Sequence, residues 1–287
     1  RRLLATCSEP DAHPERVGWH ARVMELLRAG VEPCVPRHTL TLPGGVELVG
    51  AFVPPGSFRM GSPESEAGRD DDEAAHVVTL ARGFFVGVYQ VTQAQWFSVI
   101  GTNPSRYLTD GSEWDGSPVN ELWRRTQSQG LPVESVGWED AVAFCRKLSA
   151  TGPTVRLPTE AEWEYACRAG TSTPFYWGED GLHYNARIDW NGSYSQGGGD
   201  WTSCTCPVGT YATLCPHPWG QADVHGNVWE WCLDGHDAGH GDALIDRMMA
   251  RGGSWADMPR HCRAASRYRH RRSGGDDVGF RVVFCLD

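Results

Sequence analysis

LPTEAEWEYACRAG, residues 157–170, spells out a helix with both of its ends marked. Thr159 and Glu162 stand in the T-x-x-E relation of a capping box, where the hydroxyl takes one orphan amide and the carboxylate another. Gly170 supplies the left-handed residue that lets the helix stop. A second helix precedes it in WEDAVAFCRKLSATG, 138–152, with Ala141, Phe144, Cys145 and Leu148 recurring on one face and Gly152 after its end. Around these two main helices lie apolar stretches punctuated by Gly and Pro: LTLPGGVELVGAFVPPGSFRMGS (40–62), FFVGVYQVT (84–92) and GFRVVF (279–284). FFVGVYQVT leads into TQAQWFSVI, where Thr92 and Gln95 repeat the capping-box spacing. From 171 to 223 the composition turns to Gly, Ser, Trp, Tyr and Pro without period, which predicts ordered loops and short strands. Strands, helices, a long loop region and strands again make an α+β domain.

Residues 1–45 read as a separate extension with one amphipathic helix, carried by Trp19, Val23, Leu26 and Leu27 and stopped at Gly30. The domain proper is expected over 46–287. A net charge of -10 excludes a general nucleic-acid binder. No apolar run reaches the roughly 20 residues of a membrane span, and RRLLATC is too short for a signal peptide. The chain does not begin with Met, which leaves a fragment or a removed leader open. The 10 cysteines fall partly inside helical patterns, as small buried apolar residues do, so a reduced, cytoplasmic setting is expected, an exported form staying open. The acidic run ESEAGRDDDEAA (64–75) is expected to be a solvated loop.

Seven motifs occur in order: VPPGSFRMGS, VTQAQW, PVESVGWEDAVAFC, RLPTEAEWEYACRAG, DVHGNVWEW, RGGSW and GFRVV. Through them the chain from about 45 to 284 resembles the formylglycine-generating-enzyme (sulfatase-modifying factor) superfamily. That resemblance implies a C-type-lectin-like fold. It also implies one of several functions: copper-dependent oxidation of a substrate cysteine, iron-dependent sulfoxide synthesis, or ligand binding without catalysis, as in the variable proteins of diversity-generating retroelements.

The oxidases place two cysteines after the GGS turn, because soft thiolates select Cu(I) and one alone leaves the metal under-coordinated. Here Asp257, a hard carboxylate, occupies the first of these two cysteine positions, the third residue after Ser254. Counting from RGGSW makes Cys262 the second copper cysteine and the catalytic residue of an oxidase. Counting back from GFRVV makes Cys262 instead the counterpart of a structural cysteine whose partner is Cys167. Either way the first thiolate is missing, which argues against copper, and Cys167 and Cys262 are expected to be neighbours, bonded or not. The iron-dependent relatives need three histidines, for which 1–45 offers only His13, His20 and His38.

By the same resemblance, DVHGNVWEW would wrap a calcium ion: side-chain oxygens from Asp223 and Glu230, carbonyls from Gly226 and Val228. The alternative is that Glu230 pairs with an arginine and Asp223 caps a turn. Cys204, Cys206, Cys215 and His217 could make a zinc site, but C-x-C is not a usual zinc spacing, and the reading goes against zinc.

Residues 251–284 hold eight arginines, two histidines and one cysteine. With catalysis disfavoured, this segment is read as a binding surface whose contact residues are Trp255, Asp257, Arg260, His261, Arg263, Ser266, Tyr268, His270, Arg271 and Arg272. Arg and Tyr anchor interfaces, and guanidinium groups suit carboxylate or phosphate on a protein or small-molecule ligand. Arg251, Arg263, Arg267 and Arg281 occupy family-like positions, and some are expected to turn inward to Glu164 or Glu230. Between Ser254 and Gly279 there is no Lys, Glu, Gln or Asn. Adenine mutagenesis of Asn codons yields Arg, His, Ser, Tyr, Asp and Gly, which recur through the segment, so a diversified segment is one reading. The function expected is a ligand- or protein-binding module, with the oxidase and the sensor domain of a larger signalling protein as alternatives.

Overall fold

The computed structural model describes residues 35–107, 130–150, 152–179, 204–213, 216–234 and 247–285. The expected helix near 14–30 lies outside them. Strand β1 (Arg37–Thr41) pairs antiparallel with β2 (Glu47–Val53) along its whole length. Leu42 lies in the main core. The sheet therefore begins before residue 46, and 35–45 pack as part of the domain. β3 (Gly56–Met60) and β4 (His76–Leu80) form a two-stranded ribbon, and β5 (Phe84–Gly87) returns to β2.

Three helices follow the sequence signals. α1 (Gln93–Ile100) opens on the Thr92–Gln95 capping box and ends at Gly101. α2 (Trp138–Ser149) buries Ala141, Phe144, Cys145 and Leu148. α3 (Glu160–Arg168) opens on the Thr159–Glu162 box. Its left-handed exit starts one residue earlier than expected, at Ala169 (φ 44°), and continues through Gly170 (φ 88°). β6 (Thr154–Arg156) lies between α2 and α3.

The first sheet runs β1-β2-β5-β11-β6, with β11 at Val283–Cys285. The second runs β10-β7-β8-β9, built from β7 (Trp229–Trp231), β8 (Arg247–Arg251), β9 (Arg267–Arg271) and β10 (Val278–Gly279). The GFRVVF stretch is thus not one strand. It leaves the second sheet at Gly279 and joins the first at Val283, because Arg281 turns inward between them. The main core joins both sheets to α1 and α2, with Trp96 stacked on Phe144 at 5.6 Å and Phe280 edge-on to both. Among the described residues no helix is long and apolar enough to cross a membrane.

Candidate functional site

The segment between β8 and β10 starts from two left-handed glycines, Gly252 (φ 99°) and Gly253 (φ 76°). A β-carbon on Gly253 would collide with Cys262, so the glycine pair lets the 3-10 turn Pro259–Cys262 fold tightly beneath it. Cys262 is fully buried, and burial, helped by the charge of Asp257, holds its thiol well above the ordinary range. The Asp257 carboxylate accepts hydrogen bonds from Ser254 N at 3.1 Å and Ser254 Oγ at 2.5 Å. Where a first thiolate would be needed there is instead a carboxylate locking the turn.

Cys167 and Cys262 are both free thiols. The buried imidazole of His225 stands between them, a residue sequence reasoning passed over within DVHGNVWEW. Nδ1 donates to the Cys262 carbonyl at 2.6 Å, while Nε2 faces Cys167 Sγ at 3.6 Å and accepts from Tyr176 N at 3.3 Å. Burial lowers this histidine to about 3, so it is the neutral Nδ1–H tautomer, which fits both roles. A hydrogen-bonded histidine does the tying of α3 to the tail that a disulfide would do.

Most of the arginines turn inward. Arg251 donates to Glu164 and to the carbonyls of Ala264, Ala265 and Ser266. Arg281 grips both oxygens of Glu230, at 2.9 and 2.8 Å. Arg267 grips both oxygens of Glu160, each at 2.8 Å. Arg272 lies 3.3 Å from Glu139 and over the Trp138 ring.

Arg263 corrects two expectations at once. It was expected among the contact residues, though also among arginines of which some turn inward, and the acidic run in solvent, where Glu64, Asp70, Asp71 and Asp72 do lie. Instead it is buried, bonding Glu66 at 2.6 Å, Glu73 at 2.6 and 2.8 Å, and the Gly68 carbonyl at 2.5 Å. The 64–75 loop wraps the basic tail through carboxylates that are themselves buried. Ser266, also expected as a contact residue, is 1% exposed, and its carbonyl accepts from Arg251 at 2.7 Å. An isolated charge cannot be buried unpaired, and here both signs come from one chain.

What stays accessible is narrower. Tyr268 is 44% exposed, its ring stacked on buried Trp229 at 5.2 Å. His270 sits edge-on to Trp231 and bonds Asp277 at 3.2 Å. Trp255 donates from its indole to the Asp276 carbonyl at 3.1 Å and meets Tyr107 edge-on. Arg106 and Tyr107, which carried no sequence signal, bond Asp276 at 2.5 and 3.2 Å. The Asp276–Asp277 turn therefore joins Trp255 to His270 and Tyr268. Arg260 and Met258 are exposed, and Arg260 donates to His261 Nε2 at 3.0 Å, beside Gly68 of the acidic loop. Arg271 is exposed at the end of β9.

Burial pulls His270 down, but its bonds to Asp277 and the Arg271 carbonyl raise it overall above the ordinary 6.5. A raised histidine stabilises below its unfolded value and loses that contribution as pH rises through its folded one. In urea titrations, wild type should exceed Asp277→Asn by at most about 1 kcal/mol below pH 6.5, a gap that closes as pH rises further.

The expected calcium donors do converge. Gly226 O, Val228 O and Glu230 Oε1 surround one point, joined by the backbone carbonyl of Asp223 rather than its side chain. The Asp223 carboxylate instead accepts from Gly209 N at 2.6 Å. The atom at the point of convergence is the side-chain nitrogen of Gln90, 3.0–3.2 Å from all four oxygens. With that nitrogen in place and Glu230 already paired to Arg281, the arrangement does not fit a calcium ion. His217 uses Nε2 on the Cys167 carbonyl and Nδ1 on Trp219 N, so neither nitrogen is presented to a metal beside Cys204 and Cys206, and Cys215 lies outside the described residues. Among the described residues no cluster of three or more His, Cys, Asp or Glu is placed to hold a metal.

The chain is similar to known proteins. The profile of the sulfatase-modifying factor enzyme 1-like domain matches residues 47–285. The formylglycine-generating enzyme of Mus musculus is 29% identical, over 94% of this chain and 84% of its own. The inactive C-alpha-formylglycine-generating enzyme 2 of Bos taurus is 27% identical, over 80% of this chain and 86% of its own. The solved structure of Treponema denticola variable protein 1 superimposes with a TM-score of 0.65 at 27% identity, covering 86% of this chain and 98% of that one. A profile matched from the second strand to the last, on a fold shared with these proteins, places the chain in the formylglycine-generating-enzyme-like, sulfatase-modifying factor family.

Proposed function

We propose that this chain is a binding module of its family that holds a protein or small-molecule ligand without acting on it. The observation that carries the reading is Asp257. A carboxylate bonded into the Ser254 turn stands where an oxidase needs a thiolate, and the segment's one thiol, Cys262, is buried and protonated. Copper chemistry by the two-thiolate route has no donor pair here.

The ligand would meet Tyr268, His270 and Trp255 around the Asp276–Asp277 turn, with Arg260, His261 and Arg271 at the margins. Stacking on Trp229 fixes Tyr268, and edge-on packing against Trp231 fixes His270, before any ligand arrives, so little rotamer freedom is lost on binding. Because most guanidinium groups of the tail are consumed internally, an acidic ligand would find Arg260 and Arg271 as the exposed arginines of 251–285, with Arg106 exposed beside Asp276. The likeness to a variable protein supports a diversified surface. In that case substitutions should fall at exposed positions such as 258, 260, 268 and 271 and spare Arg263 and Ser266.

Two measurements test this. Oxygen consumption with copper and a cysteine-containing sulfatase-type peptide should stay at background, and sustained turnover would overturn the reading in favour of a formylglycine-generating enzyme, the name that several relatives carry. A ligand-array screen should show binding by wild type that a variant with Arg260, His261, Tyr268 and His270 all changed to Ala has lost. Equal binding by both would remove the site.

A further inference from the structure

We infer that the side chain of Gln90 takes the place of a metal ion, so that the loop 223–230 is held closed by the chain's own amide and the fold does not depend on calcium. This is independent of the ligand and of the surface that binds it.

The argument starts from the oxygens. Asp223 O, Gly226 O, Val228 O and Glu230 Oε1 come from four residues of one loop and point at a common centre, an arrangement that needs something positive between them. Left empty, the buried carbonyls of Gly226 and Val228 would face Glu230 Oε1 and the part-buried Asp223 O with no donor at the centre. Gln90 Nε2 stands there, at 3.2, 3.1, 3.0 and 3.1 Å respectively. Its two hydrogens are shared among four acceptors at hydrogen-bond distances.

Charge points the same way. Gln90 and Glu230 are fully buried, and Arg281, 1% exposed, bonds both oxygens of Glu230. Trp163 donates to Glu230 Oε2 as well, at 2.7 Å. The one carboxylate in the cage is thus already neutralised, and a dication would add two uncompensated charges beside a buried guanidinium. A neutral amide adds none. It has a cost: Gln90 Oε1 is buried without a hydrogen-bond partner. Turning the amide over would set its oxygen against the same four oxygens, so the nitrogen-inward orientation is the one the cage fits.

Terbium, a calcium substitute that emits when excited through a nearby indole, reads whether an ion enters the cage, because Trp163 touches it. The full chain is stripped with EDTA and returned to Tb3+ or Ca2+. Wild type should show no emission that depends on Trp163 and the same Tm in EDTA as in millimolar Ca2+. Gln90→Glu sets a carboxylate against four oxygens; it should lose Tm in EDTA, regain about 5 °C with Ca2+, and gain Tb3+ emission. Emission from wild type that Trp163→Phe abolishes would overturn the inference. So would a Ca2+-induced rise in the wild-type Tm as large as that of Gln90→Glu. If Gln90→Glu does not fold, Gln90→Ala takes its place: it removes the amide without adding charge, and its Tm should fall in EDTA while wild type stays unchanged.

Discussion

Changing Glu164 to Ala should cost about 3–5 kcal/mol and lower the Tm by roughly 10 °C. Glu164 is 1% exposed and serves three donors: Arg168 Nε and Gly61 N, each at 2.8 Å, and Arg251. Removing it strands two guanidinium groups, both almost wholly buried, in a region that offers them only carbonyls. Breaking one side of a buried pair costs far more than the pair contributes when intact, because the survivor keeps its desolvation penalty. The loss should also cross the domain, since Arg251 holds Ala264, Ala265 and Ser266 in line before β9. Arg156→Ala is the control. It breaks a pair with Glu162 whose arginine is 32% exposed, and it should cost about 1 kcal/mol or less. Chemical denaturation of the two variants beside wild type decides it, and equal losses would mean that burial is not what makes Glu164 costly to remove.

Changing Arg263 to Ala should cost about 3 kcal/mol at neutral pH and open the 64–75 loop to protease. The size follows from what is stranded, two buried carboxylates and the Gly68 carbonyl. The pH dependence gives the sharper check. In wild type, burial pushes Glu73 up, but bonds from Arg263 and Ser62 more than offset it and the net shift is downward. A lowered carboxylate stabilises above its unfolded value and loses that contribution as pH falls through its folded one. Glu66 is raised, because for it burial wins over the bond to Arg263. Without Arg263 burial would dominate at both, lifting their folded values above the unfolded ones. The variant should then recover stability as pH falls towards 4.5, where wild type begins to lose the Glu73 contribution. A variant-to-wild-type gap that stays constant between pH 7 and pH 5 would show that the loop is not held by these charges. Arg271→Ala, exposed on β9, should stay within about 0.5 kcal/mol of wild type.

Both capping boxes, the buried face of α2 and the family motifs were legible because each depends on residues a few positions apart. Local hydrogen bonds and helical spacing do not need the rest of the chain. The inward turn of Arg251 to Glu164 and of Arg281 to Glu230 was also open to reading, since both glutamates sit within recognisable motifs. Arg263 was not, because its partners Glu66 and Glu73 lie about 190 residues earlier in a run whose composition resembles a solvated loop. The role of Gln90 was hidden in the same way, its four acceptors lying 133 to 140 residues later. Arg106, Tyr107 and Asp276 form one cluster from two loops that share no period or motif.

The sequence by itself determined the α+β domain, the capped starts of α1 and α3 and the family, and it showed that the first thiolate of an oxidase is missing. Only the tertiary structure decided which charges are spent inside the fold and which face out. Charge type is a property of a residue, whereas burial and pairing are properties of the distant segments that fold against it. The basic tail looked like a surface because its arginines were in view and their carboxylates were not.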